Sequence, residues 1–177
     1  STIAHAGYML LAVSALLVGA KDSRTPGLLH GAQLVAANPF SKNGGDERGD
    51  LYGLVKALDQ VAGRNVSVIN MSFSGPQSDL FEKMVRSVAA RNVVLVAATG
   101  NGGPSSELKY PAGFDEVIAV TAVDRSKRVY RRAVRGPHVD FAAPGVSVWT
   151  AASVSGGKAK TGTSFAAPFV TAAAALG

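Results

Sequence analysis

The chain has no cysteine, only three histidines, and no acidic residue among its first twenty. Without cysteine there are no disulfides, no thiol chemistry and no cysteine-ligated zinc. Charged residues are also scarce, at 17% of 177 residues against 47% apolar, which excludes a disordered chain and leaves enough apolar material for one substantial core. A membrane-spanning run is missing too. The apolar stretch from Tyr8 to Ala20 is 13 residues long, short of the roughly 20 that a bilayer demands, and lacks the basic flank of a signal peptide; it reads as a buried helix. No internal repeat or long linker divides the sequence, so a single domain over 1–177 is expected.

The net charge of +6 comes partly from Arg125, Lys127, Arg128, Arg131, Arg132 and Arg135. Such a run can meet phosphates, but only Tyr130 is interleaved as an aromatic and no nucleic-acid motif accompanies it, so it reads as a solvated hairpin or surface strand. No nucleic-acid partner is expected. The acidic group around Asp46, Glu47 and Asp50 lacks calcium-loop spacing; helix capping accounts for Asp46 and Glu47, and neither metal nor cofactor is expected.

Periodicity places helices over 9–19, 50–62, 78–91 and 163–176, and strands over 33–37, 66–71, 92–98 and 116–123, with shorter strands near 138–141 and 146–151. Fully apolar runs such as Val93 to Ala98 suit strands covered on both faces, and strands alternating with helices imply an α/β fold with a mainly parallel central sheet flanked by helices.

Chemistry concentrates in two places. Thr161-Gly162-Thr163-Ser164-Phe165-Ala166-Ala167-Pro168 is a small-residue loop presenting a hydroxyl where an alanine-rich helix begins, with Pro168 expected in about its first turn. Amide N–H groups at a helix start have no intrahelical partner, so Ser164 sits beside free donors for an oxyanion; Gly162-Thr163-Ser164 alone also serves as an ordinary cap. Asn101, flanked by Gly100, Gly102 and Gly103, follows the apolar strand at the end where α/β proteins gather ligand groups, although such a stretch also makes a plain turn.

The eight-residue string around Ser164 resembles the serine motif of the subtilisin-like serine peptidases, the subtilases. Val66-Ser67-Val68-Ile69-Asn70-Met71-Ser72-Phe73-Ser74-Gly75-Pro76 resembles the strand and loop forming one wall of the family's substrate groove, and Val93 to Gly103 resembles the strand ending at its oxyanion-hole asparagine. Tyr110-Pro111-Ala112, Val117 to Val120 and Asp140 to Val146 resemble the pieces leading to the serine, so the likeness runs from about Ala12 to the C-terminus. It implies the C-terminal part of a three-layer catalytic domain whose first, Asp-bearing strand is missing here, acting on peptide or protein substrates by acyl transfer through Ser164, with Asn101 and the Ser164 N–H at the oxyanion. The loop Ser72, Phe73, Ser74, Gly75 and the strand end Ala98, Thr99, Gly100 would flank the pocket for the residue before the scissile bond, with Phe73 offering apolar contact. A cis Tyr110–Pro111 bond and a secreted or periplasmic full-length protein are implied as well.

The family's Asp-His-Ser order is incomplete in this sequence. Ungapped counting puts Met9-Leu10-Leu11 where a His-Gly-Thr string belongs, and His5 lies four residues earlier, about one helical turn. His5 is the candidate base if its helix begins earlier; otherwise it is a terminal, exposed histidine, and the chain is a degenerate subtilase-like domain that binds peptides without cleaving them. His30 and His138 fall in turns and are poor candidates. A third alternative is a natural protein in which residues before Ser1 restore the Asp and His.

Overall fold

The computed structural model of the protein describes residues 13–43, 46–151 and 156–177. His5 and Met9 lie outside the described residues. Helical residues 13–18 (α1) are followed by an antiparallel hairpin, β1 (Phe40–Asn43) and β2 (Asp46–Gly49), and by α2 (Leu51–Ala62). Then come β3 (Val68–Met71), α3 (Asp79–Ala89), β4 (Val94–Ala98), β5 (Val117–Val123) and β6 (Phe141–Pro144). A second antiparallel pair, β7 (Val148–Thr150) and β8 (Lys158–Lys160), leads to α4 (Thr163–Ala175).

Strands β3, β4, β5 and β6 form one sheet in that order, every pairing parallel. Alternation sorts their side chains between two cores. Ile69, Met71, Leu95, Ala97, Val117 and Ala119 face α2 and α3, meeting Leu58, Phe81, Val85 and Val88. Val96, Ala98, Val120, Ala122 and Ala143 face the other way, against Ala166 and Ala167 of α4. Alanine on both sides of that second interface lets the helix approach closely. Val13 and Leu17 of α1 pack on Ala172 beside it. Three layers result, as the sequence implied, and each fully buried valine such as Val85, Val88 or Val96 contributes roughly 1.5–3 kcal/mol through lost contact with water.

Local chemistry sets the helix starts. Asp50 Oδ1 accepts from Gly53 N–H at 2.6 Å and caps α2, while Ser78 Oγ accepts from Phe81 N–H at 3.4 Å at the start of α3. Asp46 and Glu47, expected as caps, instead lie in β2, paired with Asn43 and Lys42; the cap is Asp50, three residues after Glu47, because the hairpin takes up the residues before it.

The strand expected at 33–37 is not formed. Val35, Ala37 and Pro39 are half-buried while Ala36 and Asn38 are exposed, so the alternation is there, but no described strand lies alongside to complete a ladder. This segment faces β3 across a cavity of about 820 Å³ lined by Leu17, Leu34, Leu54, Leu58, Ile69 and Phe73 among others. The basic run forms a tight exposed turn, in which Asp124 accepts from the Arg128 backbone N–H and guanidinium and from Ser126 N–H; the first of these does most to hold its carboxyl below the usual range.

Candidate active site

Helix α4 begins against the sheet because two glycines let backbone meet backbone. Gly162 N–H donates to Gly145 O at 2.8 Å, and a Cβ on Gly145 would fall 2.5 Å from Ala122 Cβ and 2.9 Å from Gly162 O. The N-cap residue, Gly162, has no side chain to cap the helix. Asn101 does this from 62 residues away: its Oδ1 accepts from Thr163 N–H at 3.0 Å and from Thr163 Oγ1 at 3.2 Å. Thr163 is fully buried, and its hydroxyl accepts in turn from Gly100 N–H at 3.1 Å. Gly100 sits at φ 103°, a left-handed conformation that L side chains rarely adopt.

Two donors converging on Oδ1 decide which end of the Asn101 amide is oxygen, so Nδ2 is the end left over, and it makes no hydrogen bond among the described residues. The site therefore offers a fixed N–H donor beside the first turn of α4, where the positive end of the helix dipole lies.

Ser164 is the second residue of α4 and is half-buried. Its Oγ donates to Ser72 O at 3.2 Å, and its own carbonyl accepts from Ser72 Oγ at 3.0 Å. Pro168 lies in the second turn rather than the first, because α4 starts at Thr163. Behind Ser72, Asn70 Nδ2 donates to Ser72 Oγ at 2.8 Å, and Thr171 Oγ1 lies 3.0 Å from both Asn70 Oδ1 and Ala167 O. Strand alternation turns Asn70 towards α4, since its neighbours Ile69 and Met71 face α3.

Ser72 is hydrogen-bonded to Ser164 directly, whereas Gly100 and Asn101 are hydrogen-bonded to Thr163, the residue before it. Ser74 reaches the same place, its Oγ lying 3.5 Å from where a Gly100 Cβ would be. Gly75 exchanges two backbone hydrogen bonds with Tyr110, next to the cis Tyr110–Pro111 bond. Phe73 is half-buried, its ring centroid 5.9 Å from Phe40 and 6.2 Å from Phe81. Ala98, Thr99 and Gly100 are buried, and Thr99 Oγ1 has no partner among the described residues. His30 is exposed. His138 is half-buried beside Asp140; burial lowers its pKa and the Asp140 charge opposes this in part. Thr163, Asn70 and Thr171 are the contributors that motif reading did not assign. The available signal was a polar residue interrupting the alternation of β3, and a threonine on an otherwise small apolar helix.

The subtilase family profile matches residues 11–177. The chain belongs to the subtilase family. It is 34% identical to subtilisin DY of Bacillus licheniformis over 90% of this chain and 59% of that protein, and 36% identical to subtilisin BL of Lederbergia lenta over 75% of this chain and 49% of that protein. Among solved structures, the prenylagaramide maturation protease PagA superposes with a TM-score of 0.88 at 27% identity, covering 96% of this chain and 63% of that one. A S218A mutant of the PatA protease domain also gives 0.88, at 26% identity, with the same coverage. The chain thus spans 59% and 49% of the length of these two subtilisins. The α/β architecture is the subtilisin-like one, and no helix among the described residues is long and apolar enough to cross a membrane.

Proposed function

We propose that this subtilase chain carries the nucleophile and oxyanion half of a serine endopeptidase site. The observation that carries the reading is an Asn101 amide whose oxygen is engaged by Thr163, the residue before Ser164 at the start of α4, and whose N–H2 is left to donate. In this reading Ser164 Oγ attacks the carbonyl carbon of a peptide bond as its proton passes to an imidazole. Negative charge on the former carbonyl oxygen is held by Asn101 Nδ2 and the Ser164 N–H. Collapse expels the amine, which takes the proton from the imidazolium, and water then hydrolyses the acyl-enzyme. His5 is the proposed base, by resemblance. The loops Ser72–Gly75 and Ala98–Gly100 are the proposed groove walls, where an extended peptide would bind. An exported full-length protein fits the relatives, one of which is the minor extracellular protease Epr of Bacillus subtilis.

A second reading, a peptide-binding domain without turnover, is favoured by one observation: the Ser164 hydroxyl donates to the main-chain carbonyl of Ser72. A fluorophosphonate probe read by peptide mapping separates the two. Labelling of Ser164 that is lost in both Ser164→Ala and His5→Ala supports the peptidase with His5 as base. A folded, monodisperse chain that takes no label leaves the binding domain.

A further inference from the structure

Every interior carbonyl of an α-helix normally receives the N–H four residues on. Proline at 168 has none to give, so the Ser164 carbonyl loses its helical donor. Ser72 Oγ fills that position from the neighbouring strand end, at 3.0 Å. The direction of its single proton is not left free. Asn70 Nδ2 donates to Ser72 Oγ at 2.8 Å, which occupies a lone pair and leaves the hydroxyl proton for Ser164 O. Asn70 is itself oriented, since Thr171 Oγ1 lies 3.0 Å from Asn70 Oδ1. The chain Thr171, Asn70, Ser72, Ser164 therefore starts and ends on α4, one strand end between.

We propose that Ser72, oriented by Asn70 and Thr171, is a positioning residue for the nucleophile: it replaces the helix hydrogen bond that Pro168 removes and so fixes the backbone from which the Ser164 hydroxyl and N–H project. The proposal rests on the peptidase reading of Ser164. It makes Ser72 and Pro168 energetically coupled, because alanine at 168 would supply the missing N–H and make the Ser72 hydroxyl dispensable.

The test is a double-variant cycle of Ser72→Ala and Pro168→Ala, with Thr171→Val as a milder variant should Ser72→Ala fold poorly. Fluorophosphonate labelling of Ser164 is timed under conditions where each variant is folded, and urea unfolding is measured in parallel. Ser72→Ala is expected to slow labelling about tenfold or more, since small misplacements of reacting groups cost up to about 100-fold, and to lower the folded-to-unfolded ratio at least about fivefold, for an unsatisfied carbonyl. In the Pro168→Ala background both losses should shrink to within about threefold, and Thr171→Val should slow labelling by a smaller factor than Ser72→Ala. Equal losses in both backgrounds, or loss of stability with the labelling rate unchanged, would overturn the positioning role while leaving the peptidase reading intact. An unsubstituted, folded chain that takes no label would overturn the peptidase reading and the positioning role with it.

Discussion

Replacing Thr163 by valine should cost more than replacing it by serine, against the order that packing alone would give. Thr163 is fully buried; its hydroxyl accepts from Gly100 N–H at 3.1 Å and donates to Asn101 Oδ1 at 3.2 Å. Valine keeps the shape, so no cavity opens. It leaves the buried Gly100 N–H without its acceptor, at about 1–3 kcal/mol, and removes one of the two donors on Asn101 Oδ1, at about 0.5–1.5 kcal/mol. Burial of an extra apolar group returns up to about 1 kcal/mol, for a net loss near 2 kcal/mol. Serine keeps both hydrogen bonds and loses one methyl, about 0.8 kcal/mol plus a small cavity term. Urea unfolding reads the difference: with a slope of about 2 kcal/mol/M, Thr163→Val should move the midpoint down by about 1 M and Thr163→Ser by about half that, with the slope unchanged. A Thr163→Val variant within about 0.5 kcal/mol of the parent, with Thr163→Ser the worse of the two, would show that Thr163 fills space and does not orient Asn101.

Asn101→Ala should lower Ser164 labelling by about 100- to 1,000-fold, the figure for loss of an oxyanion donor in subtilisin, itself a member of this family, and should lower stability by about 1 kcal/mol through the lost cap on α4; labelling at the parent rate would exclude Asn101 as a donor. Gly145→Ala puts a Cβ 2.5 Å from Ala122 Cβ and 2.9 Å from Gly162 O, so it should destabilise by about 1–3 kcal/mol and slow labelling together, whereas a neutral effect on both would mean that α4 is not held by this contact. For His138, burial lowers the folded-state pKa below the ordinary 6.5, so between the two values the unfolded chain binds more protons. Its contribution to stability is present above pH 6.5 and is lost as pH falls through the folded value; His138→Gln should therefore flatten the unfolding midpoint between pH 7.5 and 5, and an unchanged pH profile would refute this.

What the sequence shows most clearly is what one segment decides by itself. Val93 to Ala98 reads as a doubly covered strand because its residues are apolar at both parities, and β4 is buried on both faces. The stretch 33–37 is apolar in the same continuous way from Leu34 to Ala37, yet a strand also needs a neighbour, and that is not a local property. Asp46, Glu47 and Asp50 share their capping chemistry, so composition does not choose among them; the hairpin register does. The site divides in the same way. Ser164 and Asn101 stand out because glycine marks the ends of the elements that carry them, whereas the bond from Thr163 to Asn101 spans 62 residues and leaves no local trace.

That bond, and the one from Ser72 to Ser164, are consequences of register. Met71 of β3 pairs with Ala97 of β4, so the parallel ladder delivers Ser72 and the Thr99-Gly100-Asn101 loop to the same C-terminal end of the strands, over which α4 begins. The apolar alternation sets this register: a slip of one residue in β3 would turn Ile69 and Met71 out of the α2 and α3 core and carry Asn70 into it. Burying an amide there without partners would add to the lost hydrophobic contact. The same pattern that buries Ile69 and Met71 therefore points Asn70 at Thr171 and sets Ser72 beneath the Ser164 carbonyl, so the hydroxyl chain behind Ser164 is fixed by the core rather than by the loops that surround it.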